Sequence, residues 1–336
     1  MKPAASYEAT AVDADGAVAV APGWRGAGSQ TLVRMLGIWV GLGAFAIVAG
    51  ALEPVLLSGS NIQLLLRQAS IIGLLAIGQT VVMLTGGIDL SVGSVVAVVN
   101  WVSTSLLLGS NDRNVPVFAL CLGLGALVGL INGIGVTKLR VPPFVMTLGM
   151  LFAVLAAGFM YTDGINKGEA SPLLAHLGQS YAGPVPVAFV AFASVALAVQ
   201  LMLWKTTFGR RVYAVGANPR AARLAGVDVD RTLVLAYVLC GVTAAMGGLV
   251  LSGYIGIGDN TSGQGLELEA IAAVVIGGTT LTGGRGSVVG TVGGVLLLAL
   301  LYNLLVVLDI AQSGRLVLQG AVIIAAAAIY ARSLRG

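Results

Sequence analysis

Ten apolar runs follow one another along the chain, each near the ~20 residues that an α-helix needs to cross the hydrocarbon core of a bilayer. They fall at 34–52, 66–85, 90–108, 116–136, 143–160, 185–204, 232–253, 268–282, 287–308 and 315–331. The expected fold is an all-α integral membrane protein with about ten transmembrane helices. Composition points the same way: 57% of the 336 residues are apolar and 10% charged, where a soluble domain carries about 25% charged residues. The 48 glycines suit membrane helices, which approach closely where side chains are small.

Charge sets the expected orientation, because Lys and Arg collect in cytoplasmic connections. With the N-terminus inside, an alternating ten-span path places Lys2, Arg25, Arg34, Lys138, Arg140, Lys205, Arg210, Arg211, Arg220, Arg223, Arg231, Arg285, Arg332 and Arg335 on the inner side. That is 14 of the 18 basic residues. Both termini are then cytoplasmic. This pattern also answers the net charge of +4: the basic residues follow topology, so no nucleic-acid partner is expected. Residues 1–30 lack a basic start followed by an apolar run and cleavage site, and read as a disordered cytoplasmic tail ahead of a membrane domain over 31–333. Two connections are long: 161–184 outside, and 205–231 inside with six basic residues.

Chemistry-bearing clusters are sparse. Cys121 and Cys240 lie in apolar runs, and with the single histidine, His176, they make neither a structural disulfide nor a zinc site. There is no phosphate loop, two-histidine metal motif or serine elbow, so an enzyme is not expected and any ATP use belongs to another chain. No row of intramembrane Asp, Glu or Lys marks an ion-coupled pump.

Three stretches stand out. In the first, Gln79 precedes Leu84-Thr85-Gly86-Gly87-Ile88-Asp89-Leu90-Ser91-Val92-Gly93-Ser94. Paired glycines break a helix, and Asp89 can accept backbone N–H bonds at the start of the next. Two readings fit: a tight turn with an ordinary cap, or a broken helix lining or gating a pathway. Part of the stretch is echoed later, where Leu281-Thr282-Gly283-Gly284 precedes Gly286-Ser287-Val288-Val289. The second stretch is Asn218-Pro219-Arg220-Ala221-Ala222-Arg223-Leu224-Ala225-Gly226. Asn218 suits an N-cap, Pro219 the first helical position and Gly226 the terminating one. Ala221, Leu224 and Ala225 share one face, Arg220 and Arg223 another. So short a helix is marginal alone, so it is expected to dock, on the protein's own membrane surface, on anionic lipid or on a cytoplasmic protein. In the third, Glu267 and Glu269 stand at the outer start of the span at 268–282, where carboxylates favour the positive helix end. Asn100, Asn132 and Asn303, with Gln79, are the remaining intramembrane polar residues. Each either faces a pathway or bonds between helices.

Taken with Val141-Pro142-Pro143-Phe144-Val145-Met146-Thr147-Leu148-Gly149, the stretches Leu84 to Ser94, Gly209 to Arg231 and Glu267 to Ser287 resemble the ribose/xylose-type permease family of ABC importers, over about 34–333. The resemblance implies a bacterial inner-membrane permease that moves a monosaccharide. It implies an extracytoplasmic sugar-binding protein as donor, a second permease copy, and an ATPase subunit that binds the ATP and magnesium, with no cofactor in this chain. It makes Asn218, Pro219, Arg220, Ala221, Arg223, Leu224, Ala225 and Gly226 the ATPase-coupling element within 205–231, and puts Gly86, Gly87 and Asp89 in the family's most recognisable loop. Competing functions are a permease for another delivered solute (a nucleoside, polyol or amino acid) and an ion-coupled secondary transporter.

Overall fold

A computed structural model describes residues 25–321 apart from 260, 312, 316 and 319. Of the tail expected over 1–30, residues 1–24 lie outside the described residues, while 25–30 already belong to helix α1 (Arg25–Leu52). Most of the last expected span, 315–331, also lies outside them.

The apolar runs up to 308 fold as helices. Among the described residues six are long and apolar enough to cross a membrane: α2 (Gly59–Leu84), α4 (Asn114–Thr137), α5 (Pro143–Thr162), α7 (Val187–Lys205), α10 (Val229–Ile255) and α12 (Val288–Val307). Leu36–Leu52 of α1 and all of α3 (Val92–Leu107) are shorter apolar helices. A 3-10 turn, Pro54–Leu57, links α1 to α2. Connections that carry no apolar run still have structure. Residues 172–186 form α6 (Pro172–Gln179) and a hairpin of β1 (Tyr181–Ala182) against β2 (Val185–Pro186). The long basic connection holds α8 (Thr207–Ala217) and α9 (Pro219–Leu224).

One span is corrected. The run at 268–282 yields only α11, Leu266–Ile276, 11 residues long. At 1.5 Å per residue that is about 17 Å, little more than half of a ~30 Å hydrocarbon core. Gly277 and Gly278, the latter at φ +89°, end it early.

Helix α10 runs through the middle, packed on α4, α2 and α3. Its approach to α4 is backbone on backbone: a Cβ at Gly125 or Gly129 would strike the carbonyl of Gly241 or Tyr237. Small residues at such crossings let dispersion forces act between main chains where lipid gives no hydrophobic drive. Burial grades outward from there. In the apolar window of α2, 83% of residues are buried, against 11% for α5, which packs on α3 and α4 at the edge of the bundle.

Among the described residues, the connection from α10 to α11 contains no helix. The end of α3 meets the segment after α5, where the N–H of Gly109 bonds the carbonyl of Glu169 at 3.1 Å. Ile257 pairs with Glu169 at the same level. From there the chain descends beside α3. Asn100 Nδ2 donates to the Ile257 carbonyl (3.1 Å), Asn100 Oδ1 accepts from the Asp259 N–H (2.8 Å), and Trp101 Nε1 donates to the Asp259 carbonyl (2.8 Å). Gly263 lies lower, against Ala97 and Gly93, and the Glu267 carboxylate reaches Gly93. From Thr104 to Gly93 is about 16 Å of helix. Non-helical backbone at such depth must be held by protein or line a cavity, and Asn100 and Trp101 do the holding here. Glu267 is therefore not at an outer helix start, as expected from the sequence, but level with the beginning of α3. Locally the expected role survives, since it occupies the first turn of α11.

Candidate functional site

Helix α9 forms at the positions its residues dictate. Asn218 Oδ1 accepts from the N–H groups of Arg220 and Ala221, both at 3.0 Å. Pro219, lacking an N–H, takes the first helical position. Gly226, at φ +81°, turns the chain out. Ala222 alone of this helix is buried, in a small cluster with Val215 and Val229. Arg223 Nη2 bonds Asp230 at 2.8 Å, and Lys138 Nζ reaches the same carboxylate at 3.1 Å. Such exposed pairs contribute at most about 1 kcal/mol each, so they fix direction more than they stabilise. Both arginines are exposed, but Arg223 is engaged at home through Asp230. The opposite face, Ala221, Leu224 and Ala225, is exposed, and Leu224 most of all at 91%.

Behind α9 stands α8, begun by Thr206, whose Oγ1 accepts from the Gly209 N–H at 3.2 Å. Its far side touches both glycine junctions. Tyr213 donates its hydroxyl to the Gly286 carbonyl at 2.9 Å. Gly216 lies so close to the Leu84 carbonyl that a Cβ would strike it, and the same carbonyl accepts from the Gly284 N–H at 2.9 Å. The two echoed segments also meet each other: a Cβ on Gly283 would lie 2.7 Å from the Gly86 nitrogen. Gly86 and Gly283 both have φ +84°, a region where a Cβ is strained.

Past Gly87 the chain turns back into the bundle around Asp89, which is 1% exposed. Asp89 Oδ1 accepts from the Ser91 N–H (2.9 Å), the Ser91 hydroxyl (2.6 Å) and Asn132 Nδ2 (3.4 Å). Asn132 Nδ2 also reaches the Ser91 hydroxyl at 2.9 Å. The Gln79 amide spans the backbone of Asp89, its nitrogen donating to the carbonyl at 3.1 Å and its oxygen accepting from the N–H at 3.2 Å. Thus Gln79, Asp89 and Asn132 come together in one buried knot that closes the break between α2 and α3, with Gly87 buried beside it, while Gly86 is exposed and lies against the second junction at Thr282 and Gly283. Asn100 lies apart, with its amide used to hold the 257–262 descent. Asn303, on α12, is also apart, and its buried Nδ2 has no hydrogen-bond partner.

Sequence reasoning missed several residues of this arrangement. Gln200 of α7 crosses to the start of α12, where its Oε1 accepts from the N–H groups of Val288 (3.1 Å) and Val289 (3.4 Å). A glutamine inside an apolar run was signal enough. Tyr213 and Gly216 gave no comparable signal, because their partners are distant backbone carbonyls.

Apolar helices, a break sealed by buried polar side chains, and a capped surface helix joined to that break define a multi-pass transport permease. The chain belongs to the family described as the permease component of the branched-chain amino acid transport system, which matches residues 61–327. Among similar proteins, the ribose import permease protein of Bacillus subtilis (strain 168) is 38% identical over 299 residues, 88% of this chain and 92% of that protein. The fructose import permease protein of Rhizobium meliloti is 38% identical over 283 residues, 80% and 76% of the two chains. The galactose/methyl galactoside import permease protein of Escherichia coli (strain K12) is 33% identical over 324 residues, 90% and 96%. No solved structure matches the chain.

Proposed function

We propose that this chain is the membrane-spanning subunit of an ATP-driven importer in a bacterial inner membrane, moving a monosaccharide handed over by an extracytoplasmic binding protein. The similarity to permeases named for ribose, fructose and galactose supports the sugar. The observation that carries the mechanism is the exposed Leu224 on a helix whose geometry is fixed before any partner arrives.

In this reading α9 sits in a groove of an ATPase subunit that binds the ATP and magnesium. Leu224 with Ala221 and Ala225 makes the apolar centre of the contact, where binding energy concentrates, and Arg220 sits at its rim, where charge sets register more than affinity. Movement of α9 carries α8 with it, and α8 bears on Leu84 and Gly286, the ends of the two breaks. The side bearing α8 and α9 is then cytoplasmic and residues 161–184 are outside, with ten passes, one of them made by the descent after α10 and the short α11 together, both termini inside and a second permease copy beside this one. The inner placement of 14 of 18 basic residues favours that orientation.

The test is reconstitution of the chain with its ATPase and binding protein in liposomes, offered labelled ribose, fructose, galactose and leucine. ATP-dependent accumulation of one sugar is expected. Accumulation of leucine alone, or uptake driven by an ion gradient without ATP, would replace this reading.

A further inference from the structure

The level at which the 257–263 descent ends holds a feature that the coupling mechanism does not use. A cavity of roughly 160 Å³ opens there, lined by Gly93 and Ser94 of α3, Leu151 and Leu155 of α5, and Gln264 and Glu267 at the start of α11. A water's share of liquid volume is about 30 Å³, so the space holds a small organic solute or several waters.

Its shape follows from two short helices. Both α3 and α11 begin at this level and leave in opposite directions, α3 toward the end that holds Glu169 and α11 toward the glycine junctions. Gly93 makes the space: a Cβ there would strike the Glu267 carboxylate and lie 2.7 Å from the Gly263 carbonyl. The polar groups are placed for a neutral hydroxylated ligand. Glu267 is half-buried and offers acceptor oxygens. Gln264 is exposed, and its amide carries both donors and an acceptor. Leu151 and Leu155 supply an apolar wall, and no Lys, Arg or His lines the cavity. A carboxylate, an exposed amide and an apolar wall fit the hydroxyls and C–H face of a sugar, and the carboxylate disfavours an anion. Ligand sites are built this way, mostly apolar with a few placed polar groups. Leu151 and Leu155 are half-buried on α5, a helix with only 11% of its apolar window buried, so the cavity lies near the edge of the chain between α3, α5 and the start of α11.

We propose that this cavity is the point on the pathway where the solute is held during transfer, with Glu267 and Gln264 accepting and donating to its hydroxyls. The proposal rests on the reading of the chain as a sugar permease, and its test separates the two. The assembled permease–ATPase complex, in detergent without binding protein, is equilibrated with whichever of ribose, fructose and galactose the reconstituted parent imports. Saturable binding is expected in the parent. Glu267→Gln should weaken it at least tenfold, and Gln264→Ala, a change at an exposed residue that threatens no packing, by three- to fivefold. Co-purification of the ATPase reports that each variant is folded. Binding unchanged in both variants overturns the proposal, as does absence of saturable binding in a parent that imports the sugar. A parent that imports none of the three overturns the underlying reading instead.

Discussion

The two Leu-Thr-Gly-Gly junctions begin alike and end differently. After Gly284 the chain spends a single residue, Arg285, before Gly286-Ser287, and α12 starts at Val288. After Gly87 it spends Ile88 to Val92 before Gly93-Ser94, and α3 starts at Val92. In the short version Ser287 is the N-cap, its Oγ accepting from the Gly290 N–H at 3.1 Å, and Gln200 completes the cap from a neighbouring helix. In the long version the matching serine, Ser94, is already inside the helix, and its hydroxyl bonds back to the Ser91 carbonyl at 2.7 Å. The added residues bring Asp89 and Ser91, which fold into the bundle against Gln79 and Asn132. A short turn can be finished with caps at its edge, while a longer one that dips into the bundle must bring its own polar partners, because water does not reach them.

This contrast is most sharply broken at Asp89. Asp89→Leu removes the acceptor for two donors of Ser91 and one of Asn132. Each buried orphan costs about 1–3 kcal/mol, so a loss of roughly 3 kcal/mol or more is expected, with a lowered unfolding temperature in detergent and uptake near background. Asp89→Asn keeps an acceptor oxygen and should retain most of both. Parent-like behaviour of the leucine variant would reduce the knot to a connector.

The next test sets one junction against the other. Gly283→Ala adds left-handed strain, about 1–3 kcal/mol, and a Cβ 2.7 Å from the Gly86 nitrogen. Gly86→Ala adds the same strain, but its Cβ would stand 3.4 Å from the Thr282 carbonyl, an ordinary contact. Thermal unfolding should therefore rank Gly283→Ala as the more damaging. The reverse order would mean that the junctions do not press on each other as described. The smallest effect belongs to the cap: Gln200→Ala should cost about 1 kcal/mol, the usual scale for a lost helix cap, and lower uptake about twofold with assembly intact. A loss as large as that of Asp89→Leu would show that the short junction depends on buried polar partners as much as the long one.

What was legible in the sequence follows the same division. Features decided within a few residues could be read: the apolar runs up to 308 as helices, and α9 from Asn218, Pro219 and Gly226, because cap chemistry is local. The descent at 257–263 could not be read. Its Gly, Asp and Ser content is that of any surface loop, and it is drawn inward by Asn100 and Trp101, some 160 positions earlier in the chain. Glu267 was misplaced for that reason, since its helix type was right but its depth depended on the descent. Gln79, Asp89 and Asn132 were each visible as intramembrane polar residues, but their meeting was not, because it depends on how α2, α4 and the turn pack. The echo of the two junctions was visible as a short repeat, and their contact through Gly86 and Gly283 gives it a physical meaning.

If α9 passes movement from an ATPase, through α8, to the two breaks, Leu224→Asp interrupts that path at its start, because the residue is exposed and the change does not disturb the protein's own packing. Co-purification of the ATPase and ATP-driven sugar uptake are measured together on the variant and the parent. Loss of the ATPase, or continued hydrolysis with uptake lowered at least tenfold, is expected; parent-like assembly with parent-like uptake would show that α9 does not couple the ATPase to the breaks.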